Sequence, residues 1–337
     1  MSFRALIGHR QTIDRLMGAI ARGTLPPTLL FAGPQGVGKW LTATATAQAV
    51  NCLDRAAQSA GDACGTCRSC DRVARGVHVD VLTVEPDDKA SIKIDVIREV
   101  LARTSYRPFE GRRRVVLIRD ADTLELSAQN ALLKSLEEPP DATMFVLVSA
   151  VPGALLPTVR SRTMRVRFAP LTVDEVTQAL ERDHGHEATQ ARAAAALADG
   201  SVGQALGLAD ADVVALRDAA LRLLNDVAAR SDAPARVQAG DALLVPGGSG
   251  KKERSRSELG VVLRCVAALL RDLEVINAGA ERRVLAHPAL EPTLTALASR
   301  FGADRARTAF TSVDRALYAL ERNGGSKAVV EWLALQL

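Results

Sequence analysis

The sequence predicts an α/β fold over residues 1–168 and helices alone beyond it. Three observations lead there. Short, nearly continuous apolar runs alternate with helix-forming stretches in the first half, the pattern of a parallel sheet covered on both faces. The β signal then stops at "FAPLTVDEV". Finally, alanine and leucine dominate a hydrophobic set of 47%, while aromatics are only 3%, which favours an aliphatic, helix-rich core.

The first strand is "PTLLFAG", residues 27–33, ending in glycine and opening the helical stretch "KWLTATATAQAVNCL". Further strands are expected at "VDVLTV" (79–84), "RRVVLIRD" (113–120), "TMFVLVSA" (143–150) and "MRVRFAPL" (164–171). Between the third and fourth, Ser127 is placed to cap a helix whose Leu132, Leu133 and Leu136 face the sheet, and Pro139–Pro140 stops it. After the last strand, Thr172 followed by Glu175 has the spacing of a capping box and opens a succession of amphipathic helices. A break near "GLADADVV" (207–214) separates a small helical domain, 169–208, from a larger one, 209–337. Within the latter, "VPGGSGKKERSRSE" (245–258) reads as a solvated Gly/Ser loop whose basic residues could touch DNA.

Bulk properties narrow the function classes. A chain of 337 residues calls for two or three domains. Its net charge of +4 does not demand a nucleic-acid partner. No apolar run reaches membrane length, and the N-terminus "MSFRALIGHRQTIDRL" has no secretory apolar core, so the chain reads as cytoplasmic with no membrane partner. Five cysteines in such a compartment are not a disulfide framework.

The stretch "GPQGVGKW" follows a strand and opens a helix, the setting that the phosphate-loop pattern G-x-x-x-x-G-K requires. There Gly33, Gly36 and Gly38 would let backbone N–H groups curl around phosphate oxygens while Lys39 reaches a β/γ oxygen. The next residue should carry a hydroxyl for Mg²⁺, but it is Trp40. The second half of such a site is a strand ending in Asp-Glu; in "VVLIRDADTL" Arg119 fills the first acidic slot and Asp120 the second, with Asp122 two further on. Sliding the frame so that Asp120 takes the magnesium role leaves Ala121 where the Glu belongs. Neither register completes a site for ATP with Mg²⁺, and whether nucleotide still binds is left open.

Cys52, Cys64, Cys67 and Cys70 have a spacing that can close tetrahedrally on Zn²⁺, at about 2.3 Å per Zn–S bond, with no position left for a catalytic water. A structural role follows. An iron–sulfur cluster would use the same ligands, but no electron-transfer context accompanies them. Cys265, inside "VVLRCVAALL", reads as a small core residue.

The strings "NALLKSLEEPP" (130–140) and "VPGALLPTVRSRT" (151–163) resemble the clamp-loader branch of the AAA+ ATPases, and the likeness extends from "LIGHRQTIDRL" to about Leu206. It implies an AAA+ P-loop domain over 1–168 with a zinc module at 52–70, a helical lid over 169–208 and an all-α collar over 209–337. In the lid, "GSVGQAL" places Gly203 where the branch's motors carry a nucleotide-sensing arginine, and Ser149 is a remnant of another sensor. In "RSRT", Ser161 and Arg162 match a segment whose arginine enters the neighbouring subunit's ATP site, while Thr163 departs from the usual Cys. Arg160 and Arg165 are ordinary surface candidates. The resemblance thus implies a non-hydrolysing subunit of a DNA polymerase holoenzyme, with Arg162 and Ser161 acting in trans. Its implied partners are gamma/tau motor subunits and a delta subunit in a hetero-pentameric ring, which reaches the sliding clamp and primed DNA. An active motor of the same complex is the alternative; a lone zinc-dependent nucleic-acid binder is disfavoured by weak net charge and few aromatics.

Overall fold

The computed structural model describes every residue except 1, 89, 210–211, 231, 245–253, 282–284 and 322–323. The chain divides into two compact units, Met1–Glu175 and Val176–Leu337. The first is α/β. Its strands are β1 (Thr28–Ala32), β2 (Val81–Val84), β3 (Arg114–Ile118), β4 (Thr143–Ser149) and β5 (Met164–Arg167), falling within the five apolar runs of the sequence. All pair in parallel in the order β2-β3-β4-β1-β5. The inner strands β1, β3 and β4 are buried along their whole length, which is why they read as unbroken apolar runs. The edge strands differ. β5 buries only Val166 and ends at Arg167, four residues short of the expected Leu171.

Two layers of helix cover the sheet. Leu29, Phe31, Val115, Leu117, Met144 and Val146 form a core with Ile13 and Leu16 of α1 (Arg10–Ala21) and the alanines of α2 (Lys39–Asn51). Leu30, Val116, Ile118, Phe145 and Leu147 face the other way, onto Ile97 of α5 (Ile94–Thr104), Leu132 and Leu136 of α6 (Leu126–Glu137) and Val159 of α7 (Pro157–Ser161). The alternation along each strand is the two-residue period of the pleat. Between α2 and β2 the short helices α3 (Arg55–Ser59) and α4 (Arg68–Ala74) hold the cysteine-rich insertion. One local expectation fails: α6 begins at Leu126 with Glu125 as N-cap, so Ser127 lies inside the first turn and caps nothing. The helix starts earlier because the Gln129 amide already bonds the Glu125 carbonyl at 2.9 Å. Leu132 and Leu136 are buried and Leu133 packs beside them, as the pattern required.

The capping box at Thr172 forms: Thr172 N donates to Glu175 Oε2 at 2.8 Å and Glu175 N donates to Thr172 Oγ1 at 3.2 Å. It opens α8 (Val173–His184), after which every described element is helical: α9 (Ala188–Leu197), α10 (Val202–Ala209), α11 (Val213–Ala229), α12 (Ala233–Asp241), α13 (Arg256–Asn277), α14 (Glu291–Phe301), α15 (Ala303–Glu321) and α16 (Ser326–Gln336), with a short 3₁₀ turn at Pro288–Leu290. The central helix of the second unit is α13, whose Leu259, Val262, Leu263, Val266, Leu269, Leu270 and Leu273 are all buried. Cys265 is buried among them, its thiol pushed up to about 12 by burial, as befits an inert core residue. Asp272, also fully buried, accepts from the Ala286 and His287 amides at 2.8 and 3.0 Å and from His287 Nδ1 at 2.9 Å. Most of the Gly/Ser loop, 245–253, lies outside the described residues. After it, Ser255 and Glu258 make a capping box on α13. No described helix is long and apolar enough to cross a membrane.

Candidate functional site: a phosphate loop without its metal ligands

The phosphate loop leaves the C-terminal end of β1, between β4 and β5, where ligands of open parallel sheets are bound. Two glycines are needed for different reasons. At Gly33 a Cβ would stand 2.2 Å from the Phe168 carbonyl oxygen, because the loop crosses directly over the chain leaving β5. Gly38, the N-cap of α2, has φ +94°, a conformation other residues avoid. Gly36 also has positive φ, at +73°. His9, itself left-handed with φ 52°, brings its Nε2 within 2.8 Å of the Val37 carbonyl and packs edge-on against Phe168, bracing the loop from below.

Lys39 is buried and donates to the carbonyls of Gly33 and Pro34 at 2.7 and 2.5 Å. Burial pulls its pKa down, and the fields of Asp120 and Asp122 act in the opposite sense. The ammonium thus points back into its own loop. Asp122 Oδ1 accepts the Ala150 amide at 2.9 Å and so belongs to the joint between β4 and the turn after β3. Ser149 is fully buried, and its Oγ has no hydrogen-bond partner among the described residues.

The two departures from the ATPase pattern touch each other. The Arg119 guanidinium carbon lies 5.4 Å from the centre of the Trp40 ring, a cation–π distance. The same guanidinium pairs with Glu85 at 3.2 Å and with Asp120 at 3.9 Å. A hydroxyl and a carboxylate would hold a metal at these two positions; here an indole and a guanidinium hold one another.

Arg162 and Ser161 end α7. Thr28 Oγ1 donates to the Arg162 carbonyl at 2.8 Å, tying this turn to the start of β1. The Arg162 side chain is 31% exposed, and its Nη2 pairs with Glu137 Oε2 at 3.0 Å. Ser161 Oγ donates to the Thr158 carbonyl at 3.1 Å. Thr163 is buried, with its hydroxyl bonded back to the Val159 and Arg160 carbonyls at 3.2 Å each. Arg160 and Arg165 are exposed.

The four clustered cysteines come together with all sulfurs within 4.8 Å of one another. Cys64 Sγ and Cys70 Sγ are 4.0 Å apart. Thiolates around one zinc at about 2.3 Å would be roughly 3.8 Å apart, so the cluster is within an ångström of that shape. Backbone amides already point at the sulfurs: Cys64 N to Cys52 Sγ at 3.3 Å, Cys67 N to Cys64 Sγ at 3.2 Å and Cys70 N to Cys67 Sγ at 3.5 Å. Burial pushes the Cys52 and Cys70 thiols up, whereas at Cys64 burial is outweighed by the Cys67 and Thr66 donors and the pKa falls to about 6. Such a donor set could hold a metal ion, which would expel the remaining protons. All five cysteines are free thiols.

A scaffold of buried polar groups, without a signature in the sequence, lies under this cluster. Buried Asp80 accepts from the amides of Phe109, Glu110 and Gly111, each at 2.8 Å, and from Arg114 Nη2 at 2.8 Å. Burial raises its carboxyl, but those three amides and Arg114 prevail and hold the pKa at about 2. Glu110 in turn takes Arg72 of α4 at 2.6 Å, and Asn51 brackets Arg113 with two bonds of 2.9 Å. A lone Asp in an apolar run offers no signal of this role; its partners are about thirty residues away in sequence.

The family described as "DNA polymerase III, delta subunit" matches residues 8–172. The delta' subunit of DNA polymerase III from Pseudomonas aeruginosa is 38% identical over 137 residues, covering 40% of this chain and 41% of that protein. The tau subunit from Escherichia coli is 31% identical over 214 residues, 62% of this chain and 32% of its own length. The gamma/tau subunit from Mycobacterium bovis is 34% identical over 167 residues, 50% of this chain and 28% of its own. The matches therefore span between about a quarter and two fifths of these relatives' lengths. The phosphate loop and its β2-β3-β4-β1-β5 parallel sheet thus lie inside residues 8–172, the part of this chain that is similar to the family described as DNA polymerase III, delta subunit.

Proposed function

We propose that the chain is the delta'-type subunit of a DNA polymerase III clamp loader, one that keeps the ATPase fold and does not hydrolyse ATP itself. The observation that carries this is the Trp40–Arg119 contact at 5.4 Å. It joins the two residues that stand where the phosphate-loop pattern asks for a hydroxyl and a carboxylate, and with Lys39 turned onto Gly33 and Pro34 the loop satisfies its own donor. In this reading the sheet is a rigid wall. Arg162, with Ser161 beside it, is presented to a neighbouring gamma/tau motor as an arginine finger, whose always-charged planar fork suits phosphate oxygens. The lid, 169–208, and collar, 209–337, join the chain to those motors and to a delta subunit in a five-membered ring. That ring opens the sliding clamp on primed DNA. Cys52, Cys64, Cys67 and Cys70 hold a structural zinc that fastens the insertion between α2 and β2.

A motor role is the second reading, favoured by the relatives named tau and gamma/tau. Steady-state ATP turnover by the isolated chain, with Lys39→Ala as control, separates the two. The expected result is no turnover above the control. Turnover that disappears with Lys39→Ala would establish the motor.

A further inference from the structure

The Arg162 guanidinium is not loose. Its Nε and Nη2 donate to one oxygen, Glu137 Oε2, at 3.2 and 3.0 Å, and its Nη1 donates to the Thr158 carbonyl at 3.2 Å. A guanidinium carries five N–H groups, one on Nε and two on each Nη. Three are engaged, so one remains on each terminal nitrogen, and that pair is the fork that takes phosphate oxygens two at a time. Both holding groups are carried on packed helices. Glu137 is the last residue of α6, whose Leu132 and Leu136 are buried in the sheet's core; Thr158 lies in α7, beside buried Val159. The Arg162 carbonyl is pinned by Thr28 Oγ1 at 2.8 Å. Backbone and head group are thus held from separate elements, which removes the rotamer freedom that a long side chain otherwise loses on reaching a target.

We infer that Glu137 is a positioning residue for Arg162: it holds the Nε edge of the guanidinium so that the terminal fork faces outward, ready for the phosphates of the adjoining ATPase. This rests on the finger reading above. The pair is half exposed, with Glu137 59% accessible, so it contributes little to folding and its carboxylate is available for this task.

The test has two arms. In the isolated chain, the Arg162 Nε–H resonance should be resolved and slow to exchange, and Glu137→Gln should broaden it into the exposed-arginine envelope without shifting the melting temperature. In the assembled clamp loader, DNA-stimulated ATP hydrolysis is measured for Glu137→Gln, Arg162→Ala and the double variant. Glu137→Gln should lower kcat about 3- to 10-fold with KM for ATP unchanged. Arg162→Ala should lower it further, and the double variant should be no slower than Arg162→Ala alone, as for residues acting as one unit. If Arg162→Ala is slow while Glu137→Gln runs at the wild-type rate, Glu137 positions nothing; if Glu137→Gln runs faster, the carboxylate withholds the finger, and the inference is overturned in that direction. If Arg162→Ala itself leaves hydrolysis unchanged, the finger reading fails and takes the role of Glu137 with it.

Discussion

Replacing Asp80 by Asn tests the scaffold on which the cysteine module and the sheet edge both depend. The carboxylate is fully buried and accepts three consecutive amides and Arg114. Its pKa of about 2, against an ordinary 3.8, means that the folded state favours the charged form by close to two pH units. At 1.36 kcal/mol per unit this is about 2 to 3 kcal/mol. The sign follows from the depressed value: this stability is fully present above pH 4 and is lost as pH falls from about 4 through 2. Asn keeps the shape but turns an N–H₂ toward donors and leaves the Arg114 guanidinium, 9% exposed, without its counter-ion. Losing one partner of a buried pair costs about 3 to 5 kcal/mol. Arg114 still donates to the Arg103, Tyr106 and Arg107 carbonyls, so the lower end is expected. Because a chain of two compact units need not unfold in one step, the assay is native-state hydrogen exchange at the Phe109, Glu110 and Gly111 amides, alongside urea unfolding at pH 7 and pH 3. The variant should lose at least a hundredfold protection at those amides, and its deficit relative to wild type should shrink at pH 3. Unchanged protection, or a deficit independent of pH, would refute the reasoning.

Three further outcomes are expected. Metal analysis of the purified chain should give about one zinc, and stripping it with a strong chelator should raise exchange in α3 and α4 before β1, β3 or β4 are affected; four titratable thiols in metal-free, equally protected protein would count against the site. Gly33→Ala drives a methyl to 2.2 Å from the Phe168 carbonyl, so the loop must lift from the strand, with a loss of about 2 kcal/mol or more by urea unfolding; a loss under 0.5 kcal/mol would show that the crossing is loose. Trp40→Thr with Arg119→Asp should restore magnesium-dependent nucleotide binding, read by fluorescent ATP titration with and without EDTA, whereas each single change should not.

Much of the first unit was legible because its inner strands are buried on both faces: "TLLFA", "RVVLI" and "TMFVLVS" can be little else. The edge strand β5 reads longer in sequence than it is, since one buried residue in four gives periodicity little to work with. Ser127 shows a different limit, for a good capping residue one turn too late is indistinguishable in sequence from one in place. At the site, residue types revealed what was missing from the phosphate loop. They could not reveal that Trp40 meets Arg119, or that Glu137 holds Arg162, because those contacts join segments 79 and 25 positions apart.

The Trp40–Arg119 contact also bears on which neighbouring sequences could be functional. Turning Trp40 alone into a hydroxyl residue leaves Arg119 clasped by Glu85, still a cation where a cation must bind. Turning Arg119 alone into Asp adds a carboxylate next to Asp120 while Trp40 still offers no oxygen to a metal. On the proposed non-hydrolysing reading, both one-step intermediates forfeit the Trp40–Arg119 contact and gain no chemistry, so the pair would work as a ratchet: a route back to catalysis would have to make two moves at once.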